Sequence, residues 1–485
     1  MTETVQALEG TAAVVSNGWK PYPAYNDSGV AWLGRVPEHW ETRRGKSLFQ
    51  KKHRPVKPED DIVTCFRDGT VTLRKNRRTT GFTNALKEIG YQGVSKGDFV
   101  MHVMDAFAGA LGVSDSDGKC TPVYSVCEPR PEANAHYFAY LTREMSRAGF
   151  ILALAKGIRE RSTDFRYETF GALSLCLPPT AEQDAIVRFL DYHDRLIRKY
   201  IRAKQKLIAL LAEQKRAIIQ RAVTRGLNPD VKLKPSGVVW LGEIPAHWEV
   251  RRLRTLIDRV TSGSRGWSNY AADTGPLFLR ITNLSRMSLE IDLHDQVRLD
   301  LSPEALREGK RTRVQSGDLL LSITAYIGSV AVVPADFEEA YVSQHVACCR
   351  LRPGVASPRW LGYVLLSPIG ETHGSLCMYG GTKQGLSLDD VKNYVLLLPP
   401  RDEQDELVKA IESKAEGVNI AMSRAKREIA LMREYRTRLT ADVVTGKVDV
   451  REMAASLPDD LPDEGLADDP EFTETGEAGA GEAGE

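Results

Sequence analysis

Two segments of the chain carry seam positions at alternating steps of four and three. The first runs Ile186, Leu190, His193, Ile197, Tyr200, Lys204, Leu207, Leu211, Gln214 and Ile218. The second runs Leu407, Ile411, Lys414, Val418, Ala421, Ala425, Glu428, Met432, Tyr435 and Leu439. That alternation is the seam of a coiled coil. In the first segment a second row, Phe189, Leu196, Ala203, Leu210 and Ala217, widens the apolar face. At 1.5 Å per residue, about 40 residues span roughly 60 Å. Two such helices bury their stripes most simply against each other. As an antiparallel pair they would set two domains at opposite ends, related by a pseudo-twofold axis. Two helices each packed on its own domain is the other arrangement the pattern allows. Each helix follows a Pro-Pro pair, Pro178-Pro179 and Pro399-Pro400, which neither a strand interior nor a helix interior tolerates. Thr180 and Gln183 then fit a T-x-x-Q capping box, whereas the second copy has Arg401 at the capping position.

Between these helices the pattern has no single period. Apolar runs such as LLLSITAYIGSVAVV after Asp318 and VLLLPP after Tyr394 predict buried strands, and residues 388–393 predict a short helix before the last strand. The fold class expected is therefore α+β, with two α/β or mostly β domains and two long helices.

The chain is written twice. SGVAWLGRVPEHWETRR from Ser28 and SGVVWLGEIPAHWEVRR from Ser236 share 12 of 17 positions at an offset of 208. LSLCLPPTAEQDAIV from Leu173 corresponds to YVLLLPPRDEQDELV from Tyr394 at an offset of 221, and the register continues to Val223-Thr224 against Val444-Thr445. The variable middles share only traces, such as Gly97-Asp98 and Gly317-Asp318 before apolar runs. A duplication that keeps its ends and lets its middles diverge implies one scaffold with two specificities, or two structural domains that drifted.

Charge changes this picture more than composition does. The 485 residues hold 65 basic and 65 acidic side chains, 42% hydrophobic and 27% charged, an ordinary globular composition for about three domains. Removing the 12 acidic residues of 452–485, a stretch with no Lys or Arg, leaves 65 basic against 53 acidic. That tail is expected to be disordered. Residues 42–80 hold 12 basic and 4 acidic side chains, including Arg43, Arg44, Lys51, Lys52, Arg54, Arg74, Lys75, Arg77 and Arg78. The first long helix, residues 181–226, holds 11 basic against 5 acidic. The second half offers Arg251, Arg252, Arg254, Arg259 and Arg265. Such residues suit phosphate contacts, or else a solvated charged face. Lys156, Arg159 and Arg161 in one half, and Lys383 and Gln384 in the other, are candidates to read base edges.

No catalytic constellation accompanies these residues. GVSDSDGKC from Gly112 misses the P-loop spacing and ends in Cys120. Neither Pro-Pro pair completes an adenine-methyltransferase motif, since Leu177 and Leu398 precede them. His39 and His247 repeat, but their place between Pro and Trp reads as packing. Seven cysteines show no CxxC, which predicts no zinc site and a reducing cytoplasm. No secretory leader is visible, and the longest uncharged stretch, 319–334, is too short to span a membrane.

The repeated WLG-x-[VI]-P-x-HWE block, the PP-x-x-EQD lead-in to each helix, EQKRAIIQRAVTRGLNP from Glu213 and GGTKQGLSLDDVKNYVLLLPP from Gly380 resemble the specificity subunit of type I restriction–modification enzymes. The resemblance runs from Ser28 to about Arg451. It implies target-recognition domains at 26–177 and 231–398 and conserved helical spacers at 178–230 and 399–451. An N-terminal extension, 1–25, and the acidic tail, 452–485, fall outside. In that family each domain reads one half of a split site on double-stranded DNA. The helices set the gap and dock two modification (methyltransferase) subunits. Such a subunit is not itself catalytic and holds no cofactor. Its partners methylate adenine with S-adenosylmethionine, and restriction subunits use ATP and magnesium to cleave. The weak similarity of the two middles implies an asymmetric site. Two other classes stay open on the residues alone. One is a nuclease or methyltransferase with a divergent site, and the other is a coiled-coil scaffold that binds no DNA.

Overall fold

The computed structural model describes residues 20–30, 32–77, 88–154, 164–378 and 385–458. Arg78, Lys156, Arg159, Arg161, Lys383 and Gln384 lie outside them, as does the tail from 459 onward. The chain divides into two compact units, Met1–Arg202 with Ile429–Glu485, and Ala203–Glu428.

Both long helices form. Thr180–Arg225 has 46 residues and Arg401–Val444 has 44, and the division runs through each, so every unit owns part of both. They run antiparallel. In the first unit Asp194 meets Arg436 at 2.5 Å, and Ile186 and Leu190 share a core with Leu439 and Val443. In the second, Lys204 meets Glu428 at 2.6 Å and Lys215 donates to Asn419 at 2.7 Å.

The heptad seam holds only in part. Ile186, Leu190, His193 and Ile197 are buried, and Ile201 then turns inward in place of Tyr200. Further on, Lys215, Ile219, Ala222 and Val223 are buried, Leu211 and Ile218 are half-buried, and Leu207 and Leu210 are exposed. Two successive steps of four, 193 to 197 to 201, shift the buried row by one position. A helix of 3.6 residues per turn drifts by about 20° per heptad against a 3.5-residue seam, and a step of four restores the register. In the second helix Leu407, Ile411, Val418, Ala425 and Leu439 are buried and Met432 is half-buried, while Ala415 takes the place expected for Lys414.

Each unit carries the same four-stranded antiparallel sheet. In the first the order is Phe49–Lys51, Tyr124–Pro129, Phe99–His102 and Leu111–Val113, with Val126 opposite Val100. In the second it is Ile257–Ser262, Val346–Leu351, Leu319–Ser322 and Val330–Val332, with Cys348 opposite Leu320. The apolar run after Asp318 thus supplies two neighbouring strands. The expected short helix forms at Leu388–Lys392, ahead of Val395–Leu398, and its counterpart Tyr167–Ala172 precedes Ser174–Leu177. These last strands pair with the repeated E-x-R-R strands, Ser174–Leu177 with Glu41–Arg44 and Val395–Leu398 with Glu249–Arg252.

The Gly-Asp traces mark one corner used twice. Gly97 and Gly317 both have φ near +90° (92° and 81°), a region that favours glycine. Each following carboxylate accepts a backbone N–H from two residues before its glycine, Ser95 to Asp98 at 2.7 Å and Gln315 to Asp318 at 2.8 Å.

Two termini differ from expectation. Tyr22 is buried in the first core and donates to Glu182, so folded packing begins inside the presumed extension. Helix Arg451–Ser456, with Ala454 buried, carries it past the start of the presumed tail. Among the described residues no helix is long and apolar enough to cross a membrane.

Candidate nucleic-acid interface

The two conserved sequence blocks meet in each unit. In the first, Glu182 accepts from Trp40 Nε1 at 2.8 Å and Tyr22 Oη at 2.5 Å and contacts His39 Nε2 at 2.8 Å. In the second, Glu403 accepts from Trp248 Nε1 at 3.1 Å and contacts His247 Nε2 at 2.8 Å. Both histidines therefore fix packing, as their setting suggests. The next residue clamps a second helix. Gln183 Oε1 accepts from Asn134 N–H, and Gln404 Oε1 accepts from Ser357 N–H, both at 2.8 Å, at the starts of Ala135–Arg147 and Pro358–Leu366. Gln183 Nε2 donates to the Pro178 and Glu132 carbonyls, so it does not close the capping box expected with Thr180. Tertiary partners outcompete the local one because they also satisfy buried backbone groups.

This frame aims one equivalent loop in each unit. The chain leaves strand Phe99–His102 and returns at Leu111, as it leaves Leu319–Ser322 and returns at Val330. Gly109 (φ 96°) and Gly328 (φ 94°) make the return possible. The first loop residue is held from both sides in the same way. Val103 N–H donates to Val123 O and its carbonyl accepts from Phe165 N–H; Ile323 N–H donates to His345 O and its carbonyl accepts from Leu386 N–H. Phe165 and Leu386 lie just after the segments that hold Lys156, Arg159, Arg161, Lys383 and Gln384. Phe165 and Leu386 are thus corresponding residues of the two units.

The loops differ in chemistry. In the first, burial holds the His102 imidazole below its ordinary pKa, and its Nδ1 accepts from Asp105 N–H at 3.0 Å, while Arg67 pairs with Asp105 at 2.9 Å. In the second, Tyr326 stands 61% exposed with φ 59°. A bulky residue in that region stores about 1–3 kcal/mol of strain, which marks functional loops. Sequence reading missed Tyr326 because it sits inside an apolar run that also reads as strand. His345 stands beside the same loop, with Gln344 Nε2 3.0 Å from its ring nitrogen.

The structure sorts the candidate basic residues into two sets. Arg54 grips the buried Asp98 with both terminal nitrogens, and Arg350 does the same work on Asp318 in the second unit. Arg77 pairs with Asp68 at 2.7 Å and lies over the Phe66 ring. Lys52 meets Glu128 at 2.6 Å, Lys75 meets Asp61, and Arg74 donates to Thr64 Oγ1 at 3.2 Å. Arg54, Arg77, Arg350, Lys52 and Arg74 are at least half-buried in the fold, whereas the Lys75–Asp61 pair lies at the surface. The other set faces solvent. Lys51 meets Glu168 only at 3.6 Å, Arg43 and Arg251 touch the glutamates of their own strands, and Arg252 donates to the Asn393 carbonyl at 3.1 Å. Arg44 and Arg265 are exposed and form no ion pair among the described residues. Arg43-Arg44 and Arg251-Arg252 fall at corresponding ends of corresponding strands. Among the described residues no group of three or more His, Cys, Asp or Glu side chains could hold a metal ion.

Comparison with known proteins matches residues 247–428 to the type I restriction modification DNA specificity domain. The type I restriction enzyme MjaVIII specificity subunit of Methanocaldococcus jannaschii is 23% identical over 59% of this chain and 64% of its own. The EcoBI specificity subunit of Escherichia coli is 26% identical over 55% of this chain and 58% of its own. Both matches span less than two thirds of the relatives' length. Among solved structures, a chain described under the structural basis of complex assembly and conformational transition of the type I R-M system has a TM-score of 0.56 at 15% identity. It covers 85% of this chain and 99% of that one. At that identity the likeness shows the fold, two α/β domains carried on two long helices.

Proposed function

We propose that this chain, which belongs to the type I restriction–modification specificity family through residues 247–428, is the DNA-reading subunit of such a complex. Residues 26–177 and 231–398 are two target-recognition domains, each reading one half of a split, asymmetric site. The helices of 178–230 and 399–451 set the gap and dock two methyltransferase subunits, with restriction subunits alongside. The chain itself supplies no chemistry. S-adenosylmethionine, ATP and magnesium belong to its partners, and the complex works in the cytoplasm.

One observation carries this reading: the same loop, held by the same two backbone hydrogen bonds, recurs in both units on different sequence. A constant frame with unlike loops is what two different half-sites require. Exposed Arg43, Arg44, Lys51, Arg251, Arg252 and Arg265 suit phosphates, which position a protein without reading sequence. Lys156, Arg159, Arg161, Lys383, Gln384 and Tyr326 suit base edges and unstacked bases. Two weak half-site contacts on one body reinforce each other only when their spacing matches the DNA. A partner that methylates adenine must flip it from the duplex, so a separate reader to hold the DNA is physically sensible.

The test is methylation-sensitive sequencing of the source genome with the gene intact and deleted. Loss of N6-methyladenine at one split motif of fixed gap is expected. Methylation that does not depend on the gene, in a strain where its methyltransferase partner co-purifies, overturns the reading.

A further inference from the structure

The first unit holds a cleft of about 450 Å³ that the DNA reading does not use. Arg67, Arg143, Arg147, Arg433 and Arg436 line it, with Asp194 as the single carboxylate among its lining residues. Leu190, Ile197 and Tyr140 add apolar and aromatic surface. The volume is that of a small-molecule site and far too small for a duplex.

Most of the arginines are partly compensated. Arg436 meets Asp194 at 2.5 Å, Arg67 meets Asp105 at 2.9 Å, and Arg147 pairs with Glu144. Arg143 has no carboxylate within ion-pair distance among the described residues. Its side chain passes over Gly69, where a Cβ would lie 2.6–2.7 Å from the guanidinium and its neighbouring atoms. Burial holds this guanidinium below its ordinary pKa; the nearby Arg436 and Arg147 push the same way, while Tyr140 and the more distant Asp68 push against it. A half-buried cation crowded by other cations is held at a cost unless an anion shares the space.

The internal repeat supplies a control for whether the fold itself needs these arginines. Asn134 and Ser357 head equivalent helices, which sets Leu366 where Arg143 stands. The 221-residue offset sets Ala415 for Asp194, Ala212 for Arg433 and Lys215 for Arg436. In the second unit the corresponding space, lined by Arg216, Arg286, Ile327, Gly328, Leu366 and Glu371, shrinks to about 30 Å³. The same frame therefore folds with two arginines in place of five and without a cleft of that size.

We propose that this cleft is a binding site for a free polyphosphate anion, with Arg143 as its central guanidinium and Arg67, Arg147 and Arg436 around it. The planar fork of arginine matches two phosphate oxygens at once, and several forks around one cavity favour a multivalent anion over a single carboxylate. The aromatic and apolar wall leaves room for an organic group on that anion.

Isothermal titration of the full-length chain with monophosphate, pyrophosphate and tripolyphosphate tests this. One site is expected, with affinity rising along that series. Arg143→Gln should weaken pyrophosphate binding by at least about tenfold, the loss of one charge-assisted contact. Arg143→Lys should recover part of the loss, and Arg216→Gln, in the second unit, should change nothing. If Arg143→Gln lowers the melting temperature too far to assay, Arg147→Gln at the rim should still weaken binding several-fold. No heat with pyrophosphate, or equal affinity in Arg143→Gln, overturns the proposal. The DNA phosphate is the rival source of the same chemistry. The slope of log affinity for DNA against log salt should be unchanged in Arg143→Gln. If that slope falls by about 1 while pyrophosphate does not bind, the cleft holds the DNA backbone and the free-anion site is wrong.

Discussion

Trp40 and Glu182 stand 142 residues apart in sequence and share a 2.8 Å hydrogen bond, indole Nε1 to carboxylate Oε1. Trp248 and Glu403 repeat it at 3.1 Å in the second unit. The two sequence blocks that survive the duplication are thus two sides of one contact. It locks the lead-in of each long helix to the start of each domain. Glu182 is buried and serves Tyr22 and His39 as well, whereas Glu403 has no tyrosine and is 28% exposed on its side chain. Glu182→Ala should therefore cost about 3–5 kcal/mol, and Glu403→Ala about 1–3 kcal/mol, because buried donors left unpaired carry the larger penalty. Chemical denaturation of the two variants checks the order; equal losses would contradict it.

Arg54 and Arg44 separate structure from binding. Arg54→Ala strands the buried Asp98 carboxylate and should cost about 3 kcal/mol or more of stability. Arg44→Ala, at an exposed site, should leave stability within about 0.5 kcal/mol. It should instead lower the slope of log affinity against log salt for DNA by about 0.9. Melting temperatures and a salt titration of DNA binding read the two effects independently.

Exchange of residues 45–172 for those of a homologue should change one half of the recognised site and leave the other intact. Tyr326→Ala should weaken binding through the other half alone, by about 1–3 kcal/mol for a stacked base. Sequencing the methylated motif and comparing binding to half-site mutants reports both. A change in both halves, or in neither, contradicts modular reading.

Glycines just past the two long helices should respond unequally to the same substitution. Gly226 and Gly446 both have positive φ, 71° and 75°. A Cβ on Gly226 meets its nearest neighbour, Trp248, at an ordinary 3.4 Å, but on Gly446 it meets Pro37 at 2.4 Å. Gly226→Ala should cost about 1–2 kcal/mol for the backbone alone. Gly446→Ala should add about 1–3 kcal/mol for the collision.

Six thiols are buried, and burial pushes all of them up, Cys120 and Cys176 to about 12. In the unfolded chain they ionise near pH 8.5. Above that pH the unfolded state binds fewer protons than the folded one, so stability falls as pH rises. Each thiol contributes a slope of about 1.4 kcal/mol per pH unit until its folded pKa is reached. Cys176→Ala should flatten the fall in melting temperature between pH 9 and 11. Cys377, half-buried, should be the first to react with a maleimide in the native chain.

By itself the sequence determined the duplication, the two long helices and the absence of a recognisable catalytic motif. Repeats and heptads are local and periodic, so they survive translation into one dimension. The buried strand after Asp318 and the short helix before Val395 were legible for the same reason. Tertiary structure decided what periodicity cannot encode. The inward row slips from Tyr200 to Ile201 because a straight helix drifts against a heptad seam, and only the partner helix fixes where the slip falls. Gln183 abandons its local cap for the backbone N–H of Asn134, 49 residues away, at the start of a second helix. Charge in a stretch of sequence counted Arg54 and Arg44 alike. Only the fold sets Asp98 beside the first and solvent around the second, because a carboxylate's distance through space has no signature along the chain.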